Sequence, residues 1–555
     1  MTPDRLLELY DRISEAPDAV SRLRRFVLDL AVRGKLVEQD PEDESVLDRL
    51  PAQAHTHSSA DLPKGWRQAK AGELLEFQYG KGLKKSDRLE SGPVPVYGSN
   101  GIVGFTDTPL TSSPSIIVGR KGSAGALNIS EGPSWTTDVA YFIEEPDFYA
   151  LRFLYIALST LGLDALGKGV KPGLSRTDAY ELLLPVPPIS EQHRIVAKVD
   201  ELMALCDRLE ETHNTREATR DRLITASLAR LIAPDTDEPT FQSHAHFALD
   251  TFPALTTRPD QIRSLRQTIL DLAVRGRLVE QDPEDESAWV LFNQLKRAKE
   301  EAFTAEGLRK RPPVSKSAHE LGPVQMPKSW AQATFDDLLV IVSGVTKGQR
   351  VFDHDAIDAN YMRVANVQRG FLDLSVVKSI KVRVSDIVRY RLETGDVLMT
   401  EGGDWDKLGR AAVWRGELSN CIHQNHIFRL RPPSKDLLPE WVALYANSAV
   451  GRSFFAEASK RTTNLASINM TQLRSCPIPL PPTDEQRRII ERVDELMGLC
   501  DQLEFSLAKA EAGRTRLLET ALYEALKNPH QKTAKRHDAS PQRTREAGRA
   551  AARAN

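Results

Sequence analysis

Positive side chains gather in three glycine-containing runs: GKGLKKSDR (Lys81, Lys84, Lys85, Arg88), GRKG (Arg120, Lys121) and GKGVKPGLSR (Lys168, Lys171, Arg176). Such clusters suit contact with a polyanion. The 555-residue chain nevertheless carries a formal net charge of −3, which argues against a uniformly basic surface. The charge is uneven. Residues 326–475 hold 20 Lys+Arg against 16 Asp+Glu, while 62–183 balance at 13 against 13. Any polyanion chemistry must therefore be local.

Catalytic signatures are missing. GRKGSAG has the wrong order of Gly, Lys and Ser for a phosphate loop, and GSNGIVG reads as a strand turn. No Cys-x-x-Cys pair occurs, and HELGP at His319 lacks the second His of a zinc protease. His55-x-His57 and His244-x-His246 fall in connectors and read as solvated, so no metal site is expected. There is no adenosylmethionine loop, no Asn-Pro-Pro-Tyr-type motif and no nuclease carboxylate cluster. The chain is expected to catalyse nothing alone. Four cysteines argue against a disulfide framework. No apolar run approaches the ~18–20 residues that span a bilayer, so a cytoplasmic location without membrane contact is expected.

The elements that must position these loops come in pairs. Leu23–Ser45 (LRRFVLDLAVRGKLVEQDPEDES) matches Leu265–Ser287 at 19 of 23 positions. Pro185–Glu210 (PVPPISEQHRIVAKVDELMALCDRLE) matches Pro479–Glu504 at 17 of 26. The stretches between barely resemble each other. Residues 1–50 form an N-terminal helical segment, with Gly34 as its stop. Residues 62–184 alternate short apolar runs with Gly, Pro, Ser and Asn, which predicts short strands. Residues 185–232 form a long helix with an apolar seam (Ile195, Val199, Leu202, Cys206, Leu209). Residues 233–259 read as a linker and 260–311 repeat the helical segment. Residues 326–476 form a second strand-rich insert. A second long helix spans 477–527, with Gln486 placed for a capping box on Thr483. Residues 528–555 are a basic tail expected to be disordered. The seams need a partner helix, and the simplest is the other copy, lying antiparallel across a pseudo-twofold axis.

This arrangement resembles the specificity subunit of Type I restriction–modification systems. The residues that carry the likeness are the openings of each insert (Pro63, Trp66; Pro327, Trp330) and the closings PPxxEQ (Pro187, Pro188, Glu191, Gln192; Pro481, Pro482, Glu485, Gln486). VPVYGSNGIVGF looks like one type of target-recognition domain. YMRVANVQRGFLDL, ETGDVLMTEGG, LGRAAVW and CIHQNHIFRLRP look like a second. The resemblance implies an α+β chain with a pseudo-twofold internal repeat. Two α/β target-recognition domains would be separated by two long antiparallel coiled-coil helices. It implies that the domains read the two halves of an asymmetric site on double-stranded DNA. Two methyltransferase subunits and the restriction subunits would dock on the helices. S-adenosylmethionine, ATP and Mg would act in those partners, with no cofactor on this chain.

On that reading, DNA contacts fall on Lys81, Lys84, Lys85, Tyr97, Ser99, Asn100, Arg120, Lys121, Lys168, Lys171 and Arg176 of the first insert. In the second they fall on Lys347, Arg350, Asn366, Gln368, Arg369, Lys407, Arg410, Gln424 and Asn425. Tyr97 and Trp405 have rings that can stack on DNA, although a packed aromatic is the plainer reading. Residues 38–44 match 280–286 without a substitution, which core packing does not require. A partner surface used twice would explain it, on Glu38, Asp40, Glu42 and Asp43 and on Glu280, Asp282, Glu284 and Asp285. A recent duplication that has not yet drifted is the weaker alternative. The residues by themselves leave open a coiled-coil adaptor presenting two modules to proteins, and an enzyme with a site in the Gly-rich loops.

Overall fold

The computed structural model describes residues 4, 7–8, 10, 16, 18–52, 54–56, 62–169, 172–233, 237–305, 312, 314, 326–346, 355–403, 407–461 and 466–527. Lys171, Lys347, Arg350, Trp405 and the tail 528–555 lie outside these residues. The chain divides into two compact units: residues 1–215 with 510–555, and residues 216–509. Among the described residues no helix is long and apolar enough to cross a membrane.

Unit 1 begins with α1 (Ala19–Val32), whose Leu23, Phe26, Val27 and Leu30 are buried. Arg33 ends it, and Gly34 then takes φ +64°, the left-handed stop that glycine reaches at least cost. The N–H of Lys35 closes the stop on the carbonyl of Leu30 at 2.9 Å. The strands follow: β1 (Arg67–Lys70), β2 (Gln78–Tyr79), β3 (Val94–Gly98), β4 (Gly101–Thr106) and β5 (Ser115–Gly119). Then come β6 (Leu127–Ser130), β7 (Trp135–Thr136), β8 (Ala140–Glu144) and β9 (Leu183–Val186). β1 and β9 pair antiparallel and close the insert, which we call head 1. Inside it, one sheet runs β2-β8-β5-β6 and another β4-β3-β7, with β3 parallel to β7.

The long helix α2 (Ile189–Leu231) leaves head 1 and crosses into the residues of unit 2. There α3 (Glu238–Leu255) and α4 (Pro259–Val274) follow. The expectation of a linker over 233–259 is thus corrected, and His244 and His246 stand on a helix rather than in a connector. The Asp237 carboxylate caps α3 by accepting from the Thr240 N–H at 2.9 Å. Phe241, Ala245, Ala248 and Phe252 share one face and pack with Ile224, Leu228 and Leu231 of α2. That apolar face outweighs Pro253, which sits in the last turn and disturbs few bonds.

α4 stops at Gly276 (φ +67°), as α1 does at Gly34. The second insert, head 2, holds β10 (Ala331–Thr334), β11 (Val340–Ser343), β12 (Ala356–Met362), β13 (Lys378–Arg383), β14 (Val397–Thr400) and β15 (Gly402–Gly403). It continues with β16 (Ala411–Val413), β17 (Cys421–His423), β18 (Ile427–Arg431), β19 (Lys460–Arg461), β20 (Ala466–Ser467) and β21 (Pro477–Leu480). β10 and β21 close it in the same four-residue antiparallel register as β1 and β9. Its sheets run β11-β18-β14-β16 and β13-β12-β17, with β12 parallel to β17. Strand for strand this is the order of head 1. The inserts differ in sequence and loop length but share one topology. A small β15-β20-β19 sheet in head 2 stands where head 1, among the described residues, has the bridges Lys121↔Gly173 and Lys168↔Gly173.

The last helix, α5 (Thr483–Lys527), begins in unit 2 and ends in unit 1. Its Leu518 and Ala521 are buried in the unit 1 core. Ile224 and Ser227 of α2, at the matching repeat positions, are buried in unit 2. The first halves of the long helices pack on helices of their own units. In unit 1, Ile195, Val199, Leu202 and Cys206 share a core with α1. In unit 2, Ile489, Val493 and Cys500 share one with α4.

Candidate nucleic-acid interface and the corner that carries it

Each head is anchored at a corner built from the repeated segments. The indole N–H of Trp66 donates to Oε2 of Glu191 at 2.9 Å, and Trp330 donates to Glu485 at the same distance. The other oxygen of each carboxylate accepts from the matched glutamine, Gln39 or Gln281. Burial pushes both carboxyls above the usual range, opposed by these donors. Gln192 accepts the Ala150 N–H at 2.7 Å and donates to the carbonyls of Phe148 and Pro187. Gln486 accepts the Leu438 N–H at 3.0 Å and donates to Pro481. The Glu-Gln pair after the prolines thus fastens helix, insert opening and insert interior together. No capping box forms on Thr483, because the Gln486 amide is used here and the Thr483 hydroxyl donates to the Asp436 carbonyl.

Asp43 is mostly buried and bidentate to Arg194, and Asp285 is the same to Arg488. Both were expected on a docking surface. They are corner residues instead, and this explains why they match. Glu38, Asp40, Glu42, Glu280, Asp282 and Glu284 are exposed. Arg24 pairs with Asp207 and Glu210, and Arg266 with Asp501 and Glu504, which ties α1 and α4 to the long helices.

In head 1 the backbone gathers several candidates at one end of the β2-β8-β5-β6 sheet. Gly119 makes this possible, since a Cβ there would lie 2.4 Å from the Ser99 carbonyl. The N–H groups of Arg120 and Lys121 both donate to the Val139 carbonyl, and that of Lys81 to Thr136. Lys121 and Lys168 each bridge to Gly173, and Lys168 pairs with Asp178 at 2.6 Å. Arg120 and Arg176 both stack on the ring of Tyr79, at 4.9 and 5.1 Å from its centroid. Asn100 is exposed in the β3–β4 turn, and Lys84 and Lys85 are exposed around the turn Lys85–Asp87. Tyr97 is corrected: it is buried, and its hydroxyl donates to the Ile129 carbonyl at 3.1 Å.

In head 2, Gln368 accepts from Arg410 Nη1 at 2.7 Å, and Arg369 Nη2 donates to the Leu408 carbonyl. The Lys407 carbonyl accepts from the Thr400 hydroxyl, so these residues collect around the end of β14. Gln424 and Asn425 are half-buried just after β17, with N–H groups bound to Met362 and Val345. Asn366 is corrected: it is buried, donates to Asp373 and Val376, and accepts from the Arg363 N–H. Tyr79, Glu401 and His426 belong to these clusters though no charge run pointed to them. Glu401 pairs with His426 at 2.7 Å. The available signal was TEGG (400–403), which ends a strand as GRKG (119–122) does.

His423 of β17 is fully buried with neither ring nitrogen hydrogen-bonded. Burial, helped by the nearby Arg429 charge, pushes its pKa down to about 4. The imidazole is therefore neutral in the fold at pH values where the unfolded chain would protonate it. Stability is full above the ordinary value of about 6.5 and is lost as pH falls toward 4, by about 3 kcal/mol in all. Denaturant titrations of the intact chain across that window should show the loss, and His423→Phe should flatten it. An unchanged slope in the variant would contradict the assignment.

A family model described as the Type I restriction modification DNA specificity domain matches residues 63–218 and 327–509. The EcoEI type I restriction enzyme specificity subunit of Escherichia coli is 25% identical over 582 residues, covering 91% of this chain and 94% of that protein. The EcoAI specificity subunit, also from Escherichia coli, is 24% identical over 559 residues, covering 90% and 92%. A chain solved in work on complex assembly and conformational transition of the type I R-M system is 17% identical, with TM-score 0.45, covering 84% of this chain and 98% of that one. Each family match runs from a Pro–Trp corner through one head and past the middle of a long helix, and the chain belongs to the type I restriction–modification specificity subunits.

Proposed function

We propose that the chain reads an asymmetric, two-part site on double-stranded DNA, one half with each head. Two methyltransferase subunits dock on the helical frames, and restriction subunits join them. S-adenosylmethionine, ATP and Mg act in those partners, this chain is non-catalytic, and the complex works in the cytoplasm. The observation that supports this most is the contrast between frame and head. The two corners repeat bond for bond, whereas the loops at matching sheet ends differ in charge. A duplicated mount with unlike faces suits two equivalent partners and two unlike half-sites. The exposed acidic residues Glu38, Asp40, Glu42 and their copies Glu280, Asp282, Glu284 are candidate docking positions.

The test is binding by the complex assembled with its methyltransferase subunits. Selection of one split motif is expected, with affinity falling steeply as salt rises. For six to ten phosphate contacts the loss is about 10³–10⁵ between 50 and 200 mM. Binding without sequence preference, or unaffected by salt, would contradict the proposal.

A further inference from the structure

The shared topology allows the heads to be compared position by position. In head 1 the Leu174 N–H donates to the Arg120 carbonyl at 2.8 Å, and the Arg120 N–H donates to Val139 at 2.9 Å. In head 2 the Ile468 N–H donates to the Glu401 carbonyl at 2.9 Å, and the Glu401 N–H donates to His426 at 3.0 Å. Arg120 and Glu401 therefore occupy the same place, one residue past the ends of β5 and β14. Gly80 and Gly344 match as well. A Cβ on either would lie 2.2 Å from the Thr137 carbonyl or 2.0 Å from that of His423. The residue before each, Tyr79 or Ser343, is thus fixed at the same edge.

The side chains at this shared place have opposite hydrogen-bonding character. Arg120 lies over Tyr79, and its Nη1 donates to the Asp138 carbonyl at 3.0 Å. Arg176 lies over the same ring, and its Nη1 reaches the Phe77 carbonyl at 3.4 Å. Among the described residues no carboxylate pairs with either guanidinium, whereas the frame arginines Arg24, Arg194, Arg266 and Arg488 are all paired. An arginine held by stacking and one carbonyl keeps a planar fork of donors for an outside acceptor pair. Glu401 can only accept while ionised. One of its oxygens meets His426, which is more than half exposed.

We infer that Arg120 and Glu401 are the base-reading residues of their heads. Arg120, positioned by Tyr79 and Arg176, takes the O6/N7 edge of a guanine in the first half-site. Glu401, positioned by His426, takes the N4 amino group of a cytosine in the second. The two half-sites then differ because one strand-end position changed from donor to acceptor. This rests on the proposed function.

The test uses the assembled complex and a pool of duplexes randomised across both half-sites, with Arg120→Lys and Glu401→Gln. Arg120→Lys keeps the charge but loses the fork. Preference for guanine at one position of the first half should fall about 10- to 100-fold, with the second half unchanged. Glu401→Gln should move one position of the second half from cytosine toward adenine, leaving the first half alone. Two outcomes overturn the inference: an unchanged motif in both base-reading variants, or a uniform loss across all sequences with a shallower salt slope, which would assign these residues to phosphates. Absence of any motif with the unaltered complex would instead remove the proposed function itself.

Discussion

Trp66→Ala is expected to destabilise unit 1 by about 3–5 kcal/mol, and Trp330→Ala to do the same in unit 2. Both indoles are almost wholly buried, and each meets a second ring edge-on: Phe153 at 6.2 Å, Trp441 at 5.5 Å. Truncation removes that packing and also leaves Glu191 or Glu485 with one donor fewer. The two costs should be similar, since both corners lose an edge-on aromatic contact and the same hydrogen bond to a buried carboxylate. Hydrogen exchange at β1–β9 or β10–β21 amides resolves them, because each effect belongs to one unit. Loss of protection in both pairs from a single substitution would contradict that. Trp66→Phe separates packing from the hydrogen bond. The Glu191 carboxyl is already held above the usual range by burial, and losing a donor raises it further. A carboxyl that is harder to ionise in the fold than in the unfolded chain stabilises the fold below its unfolded pKa. That contribution is lost as pH rises through the folded value. The phenylalanine variant should therefore be closest to the unaltered chain in acid and furthest from it at neutral pH.

Gly34→Val and Gly276→Val come next, at about 2–5 kcal/mol each, from left-handed backbone strain together with overpacking. Both glycines lie at positive φ, and a Cβ on either would sit 2.4 Å from the Cγ of Pro63 or Pro327. Those prolines open the heads, so the substituted side chain has to push the insert opening off its helix. Gly162→Val is the control: at φ +65° with nothing within 4 Å of an added Cβ, it keeps the backbone strain without the clash and should cost less. Equal losses at Gly34 and Gly162 would show that the turn, and not the packing against Pro63, sets the cost.

The repeated parts of this fold were legible because their signals are local. Gly34 and Gly276 mark helix stops, the Pro–Trp pairs mark insert openings, and the heptad-like seams mark the long helices. Two things were not legible. Glu191 and Glu485 look like surface carboxylates in sequence, and only the partner 125 or 155 residues away shows them to be buried acceptors. The same distance hides Asp43 and Asp285 in the corner. The common topology of the heads rests on strands of two to seven residues, too short to carry a pattern. Helix α3 was masked by Pro239 and Pro253; the first sits in the opening turn, where proline is tolerated, and the second removes one helix bond, which the buried apolar face outweighs. At the candidate interface, composition found Arg120 and Arg176. It could not find Tyr79 or Glu401, whose meaning comes from the position they share. It also nominated Tyr97 and Asn366, since a tyrosine or asparagine bound inward has the same letter as one facing out.

The central claim is that one duplicated mount carries two interchangeable readers. The matched registers of β1–β9 and β10–β21 make this directly testable. Residues 67–186 can be replaced by a second copy of 331–480, giving a chain with head 2 on both mounts. Mapping of methylated adenines in cells that express the cognate methyltransferase then compares this chain with the unaltered one. The account predicts a split asymmetric motif for the unaltered chain, and a motif with two identical halves, both those of head 2, for the altered one. Retention of the original asymmetric motif by the altered chain would contradict it.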